Sequence, residues 1–422
     1  MKIFPRSRFI VIHRAKRTAS LPPPAYTEGP SHPGAAGMML LNPAFLYAAI
    51  WTLVLVLYSL GLSDVLEPLQ TSTVVLVVGS SLAFIAGWAL ESLQCHRRLA
   101  FPQFNLAVLG AIIGSARAGR RLNIGWIIFG LGISLEIVYF RGTPVLGLIG
   151  IGPEILYTDF GIPGLHGLLN SMFYACCAIQ FARKLLDSSK SMFLSIFVSF
   201  SYPVLGMSRQ VFISLFLQYL FIYFSIRRPS LRIFVRACVL FIATLLIFGY
   251  LGDFRSGREN IIYLASPTFE YPEWLPSAFI WVYIYCSSPL NNVNFNIDIT
   301  PNYLPLETLG AFIPSFARDV FMTELGVTRR WELVADSFNV SSLLQSLLTD
   351  FGVSGTIAFT LLCGIVFTRL MRRATTSPSA FFAVIVLLHG IALSFFANLL
   401  FHLVFMFEIL IIAWIVARGR RL

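Results

Sequence analysis

Charged side chains are scarce in this chain: Asp, Glu, Lys and Arg make up 12% of 422 residues, while 57% are hydrophobic. Soluble domains carry about a quarter charged residues, so a soluble globular fold is excluded and a polytopic membrane protein is expected. Acidic residues are fewer than basic ones, 20 against 31, giving a net charge of +11. No nucleic-acid partner follows from that excess. The basic residues sit in short clusters between apolar runs, where membrane topology and lipid headgroups account for them. The six cysteines show no metal or disulfide spacing, and no HExxH or paired-histidine pattern offers a metal site. No internal repeat of fixed period is present. DFG at Asp350–Gly352 lacks the Gly-rich loop, VAIK strand and HRD of a kinase. GLGIS at 130–134 is apolar helix rather than a dinucleotide loop. Residues 1–38 contain no apolar run able to act as a signal peptide. Basic and rich in Pro (Pro22, Pro23, Pro24, Pro30, Pro33), they read as a disordered cytoplasmic tail, with Met38 or Met39 a candidate start.

What is abundant is apolar length. A span needs about 20 apolar residues, and ten segments qualify: 42–62, 72–91, 123–140, 166–183, 191–207, 210–226, 233–251, 352–369, 380–398 and 402–417. The clusters Arg97/Arg98 to Arg120/Arg121, Arg183/Lys184/Lys190, Arg227/Arg228/Arg232, Arg369/Arg372/Arg373 and Arg418/Arg420/Arg421 then fall on one side, the cytoplasm by the positive-inside rule, together with both termini. The run 104–114 is too short to span and reads as an interfacial helix. Residues 252–351 form one large outer segment with 11 acidic residues and five arginines. Within it, 277–288 is apolar but bounded by Pro276 and Pro289. It reads as an interfacial or re-entrant helix over a cavity, with Cys286 on the outer side. The expected fold is all-α: a polytopic transmembrane helical bundle of about ten spans, one membrane domain over 39–422 after the tail.

Seven arginines defy the charge bias on the outer side: Arg141, Arg209, Arg255, Arg258, Arg318, Arg329 and Arg330. A permanently charged guanidinium that grips two oxygens at once suits an anionic ligand. If the seventh span continues one more turn, Arg255 and Arg258 share a face, and with Arg209 at the tip of the fifth–sixth hairpin they would suit a diphosphate. The bland reading is snorkelling to headgroups or pairing with Asp253 and Glu259. Glu136, near the outer end of the third span, is either a base or the counter-ion of an arginine, with Arg141 about one turn on; the ion pair is the favoured reading. Glu408 in the tenth span is similar. His166 and His402 map to outer ends, where a neutral imidazole could accept a proton, although a lone interfacial histidine is more often a hydrogen-bonded wall residue. GIGPEILYTDFGIPGLHG (150–167) is a Gly/Pro-rich outer loop carrying Asp159 and Tyr157 toward the membrane edge.

These pieces in this order resemble the bacterial O-antigen polymerase family, the Wzy-type polymerases of oligosaccharide repeat units. The resemblance rests on LNPAFLYAAIWTLVLVLYSLG (41–61), LEIVYFRGTPVL (135–146), YTDFGIPGLHGLL (157–169), GMSRQ (206–210), GDFRSGR (252–258), YIYCSSPLNN (283–292) and FNVSSLLQSLLTDFGVSG (338–355). It implies a fold similar to multi-span, GT-C-like lipid-linked glycosyltransferases and O-antigen ligases. It further implies a multi-pass place in the bacterial inner membrane with the active site facing the periplasm. The implied reaction transfers a growing glycan from undecaprenyl diphosphate onto the next lipid-linked repeat unit. Undecaprenyl-diphosphate-linked oligosaccharides are then the substrates, and a chain-length regulator and a flippase the working partners. Arg209, Arg255 and Arg258 match the family's diphosphate-holding positions, with Arg318 after FIPSF a weaker match. Leu343 and Leu344 stand where the family often has an aromatic, which alters the acceptor pocket.

A diphosphate leaving group gathers negative charge as its glycosidic bond breaks, and preorganised arginines can stabilise that charge in a low-dielectric site. No metal or other cofactor is then required. The acceptor hydroxyl needs a base, and Glu136, Asp159, His166, Asp350 and His402 are the candidates. Trp274, Trp281, Tyr283 and Tyr285 could stack on sugar rings, although interfacial aromatic belts are commoner. An O-antigen ligase shares the donor and the arginines, and a lipid-linked oligosaccharide flippase also needs many spans. Against a flippase stand the absent inverted repeat and the one-sided outer segment.

Overall fold

The computed structural model describes residues 41–94, 104–190, 192–227, 231–314, 317, 318, 320, 324 and 331–417. The expected tail, Cys95, Arg97, Arg98, Arg228, Arg329, Arg330 and the cluster from Arg418 onward lie outside the described residues. In chain order the helices are α1 (Pro43–Ser59), α2 (Thr71–Gln94), α3 (Leu106–Ile113), α4 (Ala116–Phe140), α5 (Pro144–Leu148), α6 (Leu165–Leu186), α7 (Phe193–Leu205) and α8 (Arg209–Ile226). They continue with α9 (Leu231–Ser256), α10 (Arg258–Ala265), α11 (Ala278–Phe295), α12 (Leu306–Gly310), α13 (Leu343–Ala374), α14 (Pro378–Ala392) and α15 (Leu403–Val416). Among the described residues there is no strand, only an isolated bridge between Ser63 and Pro267.

Each of the ten apolar segments carries a helix. Four stretches, Thr71–Gln94, Ala116–Leu148, Arg209–Ile226 and Leu343–Ala374, are long and apolar enough to cross a membrane; α1, Ser195–Leu205, α14 and α15 are apolar but shorter. These helices turn Leu82, Leu131, Leu362 and Leu410 outward as well as filling the core. A helix apolar all round belongs in lipid or in a large interior, and the chain is a membrane-embedded helical protein. Without a hydrophobic drive between helices in lipid, close contact needs small residues. The α2–α13 pair shows this: a Cβ on Gly87 would stand 2.2 Å from the Leu361 carbonyl oxygen, and one on Gly364 2.3 Å from that of Phe84.

Two elements differ from expectation. The helix over 277–288 does not stop at Pro289 but runs through it to Phe295. An internal proline costs about 3 kcal/mol, and four buried asparagines on the far half offset it. Asn291 and Asn294, three apart on one face, bind the loop after α1. Tyr58 Oη and Glu67 N donate to Asn291 Oδ1 (2.7 and 2.9 Å), and Gln70 N to Asn294 Oδ1 (2.8 Å). Asn292 and Asn296, four apart, bind the segment before α13: Val334 N donates to Asn292 Oδ1 (3.1 Å) and Glu332 N to Asn296 Oδ1 (2.9 Å). The second difference is in α13, which Gly352 (φ 67°, ψ −176°) breaks near its start. The carbonyls freed there are satisfied by Asn302 N on Thr349 O (2.9 Å) and Tyr303 N on Asp350 O (2.8 Å), as buried backbone groups require.

Contacts between helix ends fall into two groups. At one end Leu343 N donates to Ser394 O (2.8 Å), Leu403 N to Ala311 O (3.0 Å) and Ser63 Oγ to Ala265 O (2.6 Å). At the other, Glu91 takes Arg369 Nε (2.8 Å) and Arg372, Arg121 reaches the carbonyls of Trp414 and Ala417, Asn105 N donates to Thr375 O (3.2 Å), and Arg227 Nη2 donates to Leu185 O (2.8 Å). None of these contacts joins an end that the charge pattern assigns inside to one that it assigns outside.

Candidate active site

Glu136 sits on the last full turn of α4 with its side chain fully buried. A buried carboxylate is costly unless charge and hydrogen bonds compensate, and its partners come from the Gly/Pro-rich loop ahead of α6. Ile162 N donates to Oε1 (3.0 Å), and the His166 Nδ1–H donates to Oε2 (2.9 Å). The loop reaches this position through Gly161, at φ +115°; a Cβ there would stand 2.4 Å from His166 Cγ. His166 N closes the turn onto Ile162 O at 2.9 Å. The favoured pairing of Glu136 with an arginine is therefore not what forms. Arg141, left-handed (φ 57°) and exposed at the end of α4, makes no ion pair with it.

The carboxylate fixes the imidazole tautomer through Nδ1, which leaves Nε2 for the cleft that His166 lines. His166 keeps 30% side-chain exposure. The cleft is lined by Tyr157, Phe160, His166, Tyr202, Ser208 and Val211, among others. Tyr202 Oη donates to Asn170 Oδ1 (2.6 Å), one turn along α6 from His166. A carboxylate-held histidine at a cleft wall is the arrangement of a general base, or of an acid once protonated.

Arg209 is the first residue of α8, between the cleft-lining Ser208 and Val211. Its guanidinium lies 5.9 Å over the Trp281 ring of α11, and among the described residues it forms no ion pair. Compared with protein-family models, curated proteins and solved structures, the chain matches none. The remaining argument rests on geometry. Arg258 is differently placed from expectation. The seventh-span helix does not continue through it, because Gly257 at φ 78° separates α9 from α10, so the shared face with Arg255 is not built. Arg258 spreads its guanidinium over three carbonyls, Glu273 (2.6 Å), Pro272 (2.9 Å) and Leu275 (3.1 Å), and lies 5.9 Å over Tyr271. The Arg255 side chain lies outside the described residues.

The other candidates are dispersed. Asp159 is exposed on the loop, where it accepts from Thr158 (3.0 Å). Asp350, fully buried, spends both oxygens on Glu307 N (2.9 Å) and Thr308 N (2.7 Å) at the start of α12. His402 is the N-cap of α15, its Nδ1 accepting from Val404 N at 3.4 Å, with the charge of exposed Arg318 acting on it. It shares an end of the bundle with His166, since Ser171 Oγ on α6 donates to Val404 O at 2.7 Å. Of the aromatic surface, Trp274 is exposed, but Tyr283 is buried and its hydroxyl accepts from Leu62 N (2.9 Å). Leu343 and Leu344 are core residues. Sequence reasoning missed the Asn170–Tyr202 pair and the four asparagines at the end of α11, three within it and Asn296 capping it. NNVNFN carried the signal for the latter, amides at both i,i+3 and i,i+4 spacing in an otherwise apolar helix.

Proposed function

We propose that the protein is a metal-independent glycosyltransferase polymerising O-antigen or a related surface polysaccharide, a ten-span bundle with both termini cytoplasmic and residues 252–351 outside. The observation that carries this reading is the Glu136–His166 pair on a cleft also lined by Ser208, the residue before Arg209. His166 Nε2 takes the proton of the acceptor hydroxyl, whose oxygen bonds to the anomeric carbon of the lipid-linked glycan. The bond from that carbon to the diphosphate breaks with its electrons leaving on the diphosphate. Glu136 orients the ring and stabilises the imidazolium, as a carboxylate does for a catalytic histidine. Arg209, braced on Trp281 and in no ion pair among the described residues, supplies charge to the leaving diphosphate.

The test is a strain lacking the chain and complemented with variants, read by glycan ladders. His166→Ala should insert normally and yield single-unit glycan only. Normal ladders from His166→Ala and Arg209→Ala would remove the base and the anion site together. Long polymer left unattached on loss of the chain would point to a ligase, and loss of all external glycan to a flippase.

A further inference from the structure

Away from the cleft, between α6, α8, α14 and α15, Glu408 is fully buried within an apolar helix. No cation pairs with it among the described residues. Gln218 of α8, also fully buried, donates from Nε2 to Glu408 Oε2 at 2.9 Å. The other two oxygens of this pair, Glu408 Oε1 and Gln218 Oε1, are both buried and both without a hydrogen-bond partner. Two acceptors cannot satisfy each other, and an unsatisfied buried polar atom costs about 1–3 kcal/mol. A single proton on Glu408 Oε1 changes both at once. The acid O–H donates to the amide oxygen while the amide N–H donates to the acid carbonyl, a reciprocal ring between two planar groups that share one hydrogen bond already. An ionised carboxylate here would instead be an uncompensated charge among apolar helices.

We propose that Glu408 and Gln218 form a buried proton-binding site, in which Glu408 is held as the neutral acid and locks α8 to α15. The groups facing it are consistent with a neutral site. α6 brings Tyr174 and Cys177, and α14 brings His389 beside Phe405, ring centroids 4.6 Å apart. Of the charged groups of α4, Arg117, Arg120 and Arg121 lie in its first turns and Glu136 near its other end; Arg121 and Glu136 are engaged in hydrogen bonds. The site has a consequence for the cleft, because α8 begins at Arg209 and α15 is capped by His402. Loss of the proton places a charge between the two helices that hold those side chains.

The test uses the full chain purified in detergent. The infrared spectrum of the wild type at neutral pH should contain a protonated-carboxyl carbonyl band that disappears in Glu408→Gln and shifts in Glu408→Asp. Glu408→Gln preserves the ring as an amide pair with no proton to release, so its melting temperature should match the wild type at acid pH and exceed it at neutral pH. Unfolding the wild type releases the proton to water, so its stability should fall as pH rises, whereas Glu408→Gln lacks that component. An unchanged band in both variants, or parallel pH profiles, overturns the proposal. Stabilisation of the wild type by sodium ions, absent in Glu408→Gln, also overturns it by assigning the open oxygens to a metal cation. Should Glu408→Gln fail to fold, the band shift in Glu408→Asp decides alone.

Discussion

In the proposed mechanism Glu136 and His166 act as one unit, so their variants should be strongly non-additive. Glu136→Gln keeps an oxygen for Ile162 N but presents an amide N–H to the imidazole, favouring the tautomer with Nδ1 as acceptor and leaving Nε2 protonated. Loss of a positioned general base typically costs about 10²–10⁴ in rate. Glu136→Gln and His166→Ala should each fall in that range, and the double variant should be little worse than His166→Ala. Initial rates of polymer formation on vesicles measure this, and additive losses would separate the two side chains. Arg258 follows a different logic. Its fork holds three carbonyls of the 272–275 turn, a geometry that lysine cannot reproduce. Arg258→Lys should cost roughly 1–3 kcal/mol of stability, seen as a lower melting temperature and faster proteolysis after α10. The sequence offers Arg255 and Arg258 as equals; the break at Gly257 puts them in different helices, and a glycine alone does not announce its φ.

At the scale of elements, the helices were legible because each is a run of apolar residues between charged or Gly/Pro-rich breaks. What joins them was not, since the pairs are far apart in sequence: Glu136 meets His166 across 30 residues, and Tyr58 meets Asn291 across 233. Local propensity makes Pro289 a helix boundary. The fold overrides it with asparagine side chains that replace missing backbone partners on two loops. Asn292→Leu leaves Val334 N and two carbonyls unpaired, and Asn294→Leu does the same to Gln70 N and Pro68 O. Each should destabilise by about 1–3 kcal/mol per buried group left unsatisfied, whereas Leu at exposed Phe295 should be near neutral. Equal melting temperatures for all three would mean that the amides are not what hold α11 in place.

For the molecule as a whole, the sidedness of the basic clusters and the two groups of helix-end contacts are independent observations. One comes from charge counted along the chain, the other from hydrogen bonds between residues up to 296 positions apart. Both place the loop around residue 303 at the end with His166 and Arg209, and the turn at 187–190 at the end with Glu91 and Arg121. Tyr303 is 75% exposed and the Asp187 side chain 50% exposed, so both positions are open to reagents. In a variant lacking the native cysteines, a cysteine at position 303 should react with a membrane-impermeant maleimide added to spheroplasts. A cysteine at 187 should react only after the membrane is opened. Labelling of both from outside would break the proposed ten-span topology. Labelling of 187 alone would invert it, putting the His166 cleft on the cytoplasmic side, where a lipid-linked glycan awaiting polymerisation outside could not reach it.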